Sequence, residues 1–436
     1  MLKRLVIIAF ITGLGQISAI FIIKWVAQRT TTAELAPLAQ IDSLFQLLIN
    51  IIALGLQSHA MRNIALQDEW QMEYAHAQSA RITMGIFLLP IGLFAFFNPA
   101  YIIFLMAPVL ALSGDYAQYA RGYSIQGAVV SLIRVLIPYL LVLLAGFYMQ
   151  QSIGRFYFAG LLGAYFVTNL YINAQLKIRN FYPPRWKDFL AYFKTLHLGL
   201  VNLSFYIIGL GMLLIIPYFF PLSVIPVAFV GLKLHMIFKW VLRMIHQSFL
   251  KDMKSDKVCL KVDQLCSLIG LVFASSIIIF PVSFITLFIG KQHVQSVLFF
   301  TLLALSALVY SLFSSITTKS LLERKDKRYA TIATTCSGVA LLSPVIFSFI
   351  TKNSYAISAS LLISETLFSL LMVFFVSNKM YIRERIIFYS KNLAFLLIPL
   401  IIRIGFADHV ITFIISTILI SLALGMSYYK RFLTIH

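Results

Sequence analysis

The sequence predicts an all-α polytopic membrane protein: two six-helix bundles followed by about two extra C-terminal spans. Three observations predict it. Of 436 residues, 60% are hydrophobic and only 11% charged, and the mean hydropathy is +0.90, whereas a soluble domain carries about 25% charged residues. Fourteen apolar runs follow one another, and at about 20 residues per span they use about 280 residues, leaving no room for an independent soluble domain. Lys and Arg gather at alternate connections between those runs.

The runs fall near 5–23, 36–56, 80–98, 100–119, 122–146, 153–176, 197–218, 222–245, 263–289, 294–318, 329–350, 356–377, 392–405 and 409–428. The run at 392–405 is short and ends at Arg403, which leaves open a twelve-span count with an interfacial thirteenth segment. Met1–Arg4 followed by an apolar run has the outline of a signal peptide, but the run lacks a small-residue cleavage site and reads as a retained first span. Of the 35 Lys and Arg, 27 fall on one side of the alternation, six on the other, and Arg134 and Lys233 lie within spans. By the positive-inside rule both termini are cytoplasmic. The net charge of +20 therefore reports topology and not a nucleic-acid partner. Cys259, Cys266 and Cys336 form neither a CxxC pair nor a Cys/His cluster, so they read as packing residues and no metal site is expected.

The domain boundaries follow from the longest cytoplasmic connection. Residues 1–176 hold six spans, 177–196 form a basic linker with Tyr182-Pro183-Pro184-Arg185-Trp186 lying on the membrane surface, 197–377 hold six more, and 378–436 carry the two additional spans. Six spans per half relate the halves by an axis along the membrane normal. A shift of 189 residues places Pro37 on Pro226, Ala39 on Ala228 and Arg62 on Lys251 in the same topological slot.

Ionisable residues inside spans cost roughly 2.5–3.5 kcal/mol on insertion scales and so mark candidate sites. Arg134 lies twelve residues into span five, about 18 Å deep, and Lys233 eleven residues into span eight. Glu365 is nine residues into span twelve and Asp42 six into span two. At 100° per residue, Asp42, Gln46, Asn50 and Gln57 share a polar face of span two, with Ser43 beside them. His235, Lys239, Arg243 and His246 form a basic stripe on span eight. Tyr165, Asn169 and Asn173, then Asn202 and Tyr206, then Ser358, Glu365 and Ser369 add polar groups from spans six, seven and twelve. The expected substrate-binding set is Arg134, Lys233, Lys239, Asn50, Gln46 and Asn169, and the expected ion-coupling pair is Asp42 and Glu365. Structural readings stand beside these. Arg243 and His246 can be surface anchors, Arg134 and Lys233 can be paired with acids such as Asp115 or Glu365, Asp42 can be an outer-surface residue, and buried Ser and Asn commonly join helices.

The first 70 residues carry a resemblance. Leu5 to Ile23, the loop Glu34-Leu35-Ala36, the span end Ala53-Leu54-Gly55-Leu56 and the following Met61-Arg62-Asn63-Ile64-Ala65 resemble the N-terminal module of polysaccharide-repeat flippases. These are the O-antigen and related lipid-linked oligosaccharide transporters of the multidrug/oligosaccharidyl-lipid/polysaccharide exporter superfamily. The aromatic-Gly pair common in the family's first loop is replaced by Leu35-Ala36, so substrate identity does not carry over. The resemblance implies a V-shaped pair of six-helix bundles around a cationic cavity. It further implies flipping of an undecaprenyl-pyrophosphate-linked repeat across a bacterial inner membrane, without a cofactor, in company with a polysaccharide polymerase and chain-length regulator. A cation-coupled drug exporter is the alternative that Asp42 and Glu365 keep open. A polymerase or ligase would need a large outer loop, and no outer connection here exceeds about twelve residues. No Walker motif is present, which removes ATP hydrolysis by this chain.

Overall fold

A computed structural model describes residues Leu2 to Phe432 except 30–31, 149–152, 249–252, 254, 324, 377–382, 385–386, 388–396 and 406–407. The described backbone is helical throughout its ordered elements, and the chain divides into two units, Met1–Pro217 and Tyr218–His436.

The first unit contains α1 (Leu2–Ala27), α2 (Thr32–Ala53), α3 (Leu56–Leu66), α4 (Trp70–Leu88, prolonged by a 3-10 turn to Phe96), α5 (Ala107–Ala111), α6 (Asp115–Ala120), α7 (Ser124–Tyr148), α8 (Ile153–Leu176), α9 (Trp186–Phe189) and α10 (Ala191–Ile207), and the short α11 (Ile216–Phe219) spans the boundary in the sequence. In it α7 packs on α1 and α8, α2 packs on α8 and α10, and α4 packs on α3, α5 and α9. The second unit contains α12 (Ile225–Ser248), α13 (Asp256–Ile279), α14 (Pro281–Phe288), α15 (Val297–Leu312), α16 (Ser314–Leu322), α17 (Asp326–Ile350), α18 (Tyr355–Val376) and helices Leu397–Gly405 and Val410–Phe432. There α15 packs on α13 and α18, and α18 on α17.

All fourteen expected runs contain helix, and among the described residues nine segments are long and apolar enough to cross a membrane. Residues 392–396 of the expected thirteenth run lie outside the described residues. The outward faces are apolar, with Phe10, Phe96, Phe349 and Phe374 exposed, while Asp42, Arg134, Lys233, Lys239 and Glu365 are buried. That arrangement inverts the pattern of a soluble domain and suits a lipid surround.

Several boundaries differ from the sequence expectation for identifiable reasons. The third span begins at Trp70, not near residue 80, because Gln71, Glu73, His76 and Gln78 mask the helix from a hydropathy reading. Arg81, at the expected start of that run, therefore lies inside a helix and is only 4% exposed. The ninth span breaks after α13, where Pro281 cannot continue the ladder and instead opens α14. The seventh is interrupted after Ile207 by a 3-10 turn at Leu210–Leu214.

The second span ends at Ala53, and Gly55 turns the chain with φ +76° into α3. Gln57 consequently belongs to α3 and not to the polar face of α2. The turn is pressed against α10. A Cβ on Gly55 would come within 2.7 Å of the Gly199 backbone nitrogen, and one on Gly199 within 2.6 Å of the Leu54 carbonyl carbon. The left-handed conformation costs a non-glycine residue about 1–2 kcal/mol, and overpacking about 1–3 kcal/mol more. Gly55→Ala and Gly199→Ala should each lower the thermal unfolding midpoint of the detergent-solubilised protein by several degrees. The double variant should lose less than the sum, because both methyl groups intrude on one contact. Unchanged midpoints would refute the close packing.

Candidate functional site

In the first unit the polar centre is Arg134, 7% exposed, on α7. Pro138 lies one turn further along and has no amide to bond the Arg134 carbonyl. Gly160 of α8 lies directly on it, since a Cβ there would meet the Pro138 Cα at 2.6 Å. This approach brings the α8 side chains within reach. Arg134 Nε donates to Thr168 Oγ1 at 2.8 Å and its Nη2 to Asn169 Oδ1 at 2.8 Å. Each acceptor is itself oriented: the Thr168 hydroxyl donates to the Ala164 carbonyl at 2.7 Å, and Asn169 Nδ2 donates to the Val109 carbonyl at 2.8 Å. The guanidinium carbon stands 4.1 Å from the Tyr165 ring centroid, a cation–π placement. Its Nη1 faces Asp115 Oδ2 at 3.5 Å.

Arg134, Tyr165 and Asp115 line a cavity together with Gln57, Ser113, Arg81, Ile49, Ile52 and Leu110. Arg81 enters from α4, donating through Nη1 to the Ser113 carbonyl at 2.5 Å and through Nη2 to the Leu110 carbonyl at 3.3 Å. The Ser113 hydroxyl donates to Asp115 Oδ1 at 2.9 Å.

The remaining predicted residues lie elsewhere. Asn169 joins Arg134, with both ends of its amide already engaged. Asn50 bonds the Gln46 carbonyl on its own helix at 2.8 Å, and neither residue lines the cavity. Asp42 is buried, not an outer-surface residue, and accepts a hydrogen bond from Tyr157 of α8. The Tyr157 ring packs 5.1 Å from that of Tyr139.

The second unit holds its charges differently. Lys239 of α12 forms an ion pair with Glu365 of α18, and His235 Nε2 lies 3.4 Å from the same carboxylate oxygen. All three are buried, and the Lys239 ammonium stands 4.9 Å from the Tyr310 ring centroid. Lys233, also buried, has its ammonium 5.3 Å from the Phe229 ring centroid. His246 is buried and sits 3.2 Å from Ser314 Oγ and 3.4 Å from Cys266 Sγ, which corrects its reading as a surface anchor. Arg243 remains exposed. The three cysteines are free and buried.

Ionisable side chains inside a polytopic helical fold are either paired or placed to meet a ligand. Known structures share this fold. The chain is similar to a lipid II flippase, MurJ, in an inward closed conformation, with a TM-score of 0.74 and 14% identity over 98% of this chain and 100% of that one. It is also similar to the eukaryotic MATE transporter AtDTX14, with a TM-score of 0.56 and 12% identity over 89% and 99% of the two chains. A multidrug resistance MATE family transporter of the MOP superfamily, inward-facing, gives 0.54 and 14% over 87% and 94%. No family model and no curated protein matches the sequence. The fold is thus shared with a lipid II flippase and with MATE transporters, one of them described as a member of the MOP superfamily.

Removing one member of a buried ion pair costs about 3–5 kcal/mol, because the other charge is left unmatched. Lys239→Met and Glu365→Gln should each destabilise the protein by that order in denaturant unfolding, and the double variant should recover most of the loss. Strictly additive losses would show that the two residues do not act as a pair.

Proposed function

We propose that this chain is a flippase that carries an anionic, lipid-linked oligosaccharide across the membrane by alternating access. The substrate class is the one the N-terminal resemblance implies, an undecaprenyl-pyrophosphate-linked repeat of O-antigen or a related surface polysaccharide. The observation that carries this reading is the buried Arg134 guanidinium at a cavity whose walls also hold Arg81 and Gln57. A sugar headgroup and its diphosphate cannot cross about 30 Å of hydrocarbon without replacing their water, and cationic, amide and hydroxyl groups supply that replacement. The likeness to a lipid II flippase over the whole chain supports a lipid-linked substrate. A drug exporter would need a carboxylate ready to meet an organic cation. Here the carboxylate at the cavity, Asp115, faces Arg134 and shares the walls with Arg81, so positive charge prevails there, which favours the anion.

In this reading Arg134 in the first unit and Lys233 in the second contact the anionic headgroup, Lys239, Gln46, Asn50 and Asn169 support them, and Asp42 or Glu365 couples transport to a cation. The protein resides in a bacterial inner membrane with both termini and the 177–196 linker cytoplasmic, beside a polysaccharide polymerase and chain-length regulator.

Export of surface polysaccharide in cells relying on this chain tests the assignment. Arg134→Ala and Lys233→Ala should each abolish export with the protein present in normal amounts, while Lys233→Arg should retain part of it. Undiminished polysaccharide in the double alanine variant would refute the site. Asp42→Asn or Glu365→Gln should reduce transport, and full transport by both would remove the coupling role. For topology, Lys187→Cys should be shielded from an impermeant thiol reagent applied outside and Lys352→Cys labelled. The reverse pattern would overturn the orientation.

A further inference from the structure

We propose that the cavity bounded by Arg81, Arg134 and Asp115 is a seat for a phosphate-class oxyanion, and that the Asp115 carboxylate holds it as an internal stand-in until the incoming anion displaces it. The proposal rests on the anionic-substrate reading above and names the residues that would receive and release the anion.

Three observations support the seat. First, the Arg134 guanidinium is fixed by neutral partners. Thr168 and Asn169 take Nε and Nη2 at 2.8 Å each, leaving the Nη1 edge toward Asp115. That contact, at 3.5 Å, is longer than the 2.7–2.9 Å of a charge-assisted hydrogen bond. Second, Arg81 is 4% exposed and its Nε has no acceptor among the described residues, although both Nη groups are engaged. A guanidinium has five donors and no acceptor, and an unmatched buried donor is costly, so Arg81, which lines the same cavity, keeps bonding capacity that the protein does not use. Third, the Asp115 side chain is 31% exposed while that of Arg134 is 6% exposed. The carboxylate can therefore turn toward water while the guanidinium stays in place.

Ser113 ties the parts together. Its carbonyl accepts from Arg81 and its hydroxyl donates to Asp115, so both residues are positioned by one short stretch of chain between α5 and α6. With Asp115 in place the two guanidiniums and one carboxylate leave a single positive charge. An arriving diphosphate offers several oxygens to donors that one carboxylate cannot satisfy together, and it displaces Asp115 without moving either arginine. When the anion departs, the carboxylate returns and matches Arg134 again. Asp115 thus lowers affinity and provides an exit path. A site with two unopposed arginines would hold a diphosphate too long for turnover.

The test uses the purified full chain in lipid nanodiscs, with inorganic pyrophosphate and farnesyl diphosphate as probes, measured calorimetrically. Asp115→Asn keeps the shape and can still accept from Ser113, but it removes the competing charge. It should bind either probe about tenfold tighter than wild type. Arg81→Gln in the Asp115→Asn background should lose that gain, and Arg81→Lys should recover part of it. Tighter binding of farnesyl diphosphate than of pyrophosphate identifies a lipid headgroup as the occupant, and equal affinities identify a free diphosphate. Pyrophosphate binding by Asp115→Asn no tighter than by wild type would overturn the proposal, and this comparison stands even if the Arg81 variants fail to fold. In cells, Asp115→Asn should slow export despite the tighter binding. Tighter binding with polysaccharide export unaffected by Arg134→Ala would sink the flippase reading and leave the seat standing. Unchanged affinity with export lost in Arg134→Ala would do the opposite.

Discussion

A guanidinium inside a membrane-spanning bundle must find its partners within the protein, and the first unit is arranged around that requirement at Arg134. Three elements supply what it needs: α8 with Thr168, Asn169 and the Tyr165 ring, α6 with Asp115, and α5 with the Val109 carbonyl that orients Asn169. None of these contacts is possible unless α7 and α8 approach closely, and the approach depends on Gly160 lying against Pro138. A small residue with no polar atom in its side chain thereby controls the electrostatics of the unit. The energetic logic is that of any buried charge. Satisfied on every side it specifies one arrangement of helices, and loss of any partner exposes the desolvation cost in full.

The second unit meets the same constraint by neutralisation. Lys239 and His235 converge on one oxygen of Glu365, His246 is closed off by Ser314 and Cys266, and Asp263 accepts the Ser315 amide at 2.7 Å. Each of these groups meets a near neighbour on a packed helix, although His235 Nδ1 has no partner among the described residues. The first unit differs in placing two buried arginines at the wall of a cavity.

Much of this was legible from spacing and hydropathy. The sixth run, 153–176, coincides with α8 to the residue, because Gln150, Gln151 and Ser152 precede a largely apolar stretch and Lys177 follows it. The depth argument singled out Arg134, Lys233, Asp42 and Glu365, the basic stripe added Lys239, and all five are buried. The pairing of Arg134 with Asp115 was among those the sequence allowed, but that of Lys239 with Glu365 was not legible. A helical wheel places Lys239 on a basic stripe and Lys233 beside it, but it says nothing of which faces Glu365 across a neighbouring helix. Arg81 was missed because the first turns of α4 are polar, so the charge looked terminal. The available signal was the amphipathic run from Trp70 to Ala80, whose Trp70, Tyr74 and Ala77 fall on one face and pack in the core against Tyr116 and Ile172. Gln57 was placed on the wrong helix because the second run was carried to residue 56, whereas Gly55 turns the chain with positive φ.

Similarity of fold at 14% identity has a physical basis that also limits what it says of substrate. Helix packing against lipid is satisfied by many apolar sequences, provided small residues fall where backbones cross, so the architecture tolerates nearly complete replacement. An ionisable group at depth has no such latitude, because it must be matched by particular neighbours or serve a ligand. The information about cargo therefore resides in a handful of positions, and the contrast between Asp115 and Glu365 shows how to read them. Glu365 is sealed, with a buried cation on the same oxygen that His235 approaches. Asp115 is partly solvated, loosely engaged and tethered by a single hydroxyl. A carboxylate held in the second way can be exchanged for another anion at little cost, and one held in the first way cannot without opening the bundle. The location of the exchangeable carboxylate, and not the number of basic residues, is what marks the face of the protein that handles an anion.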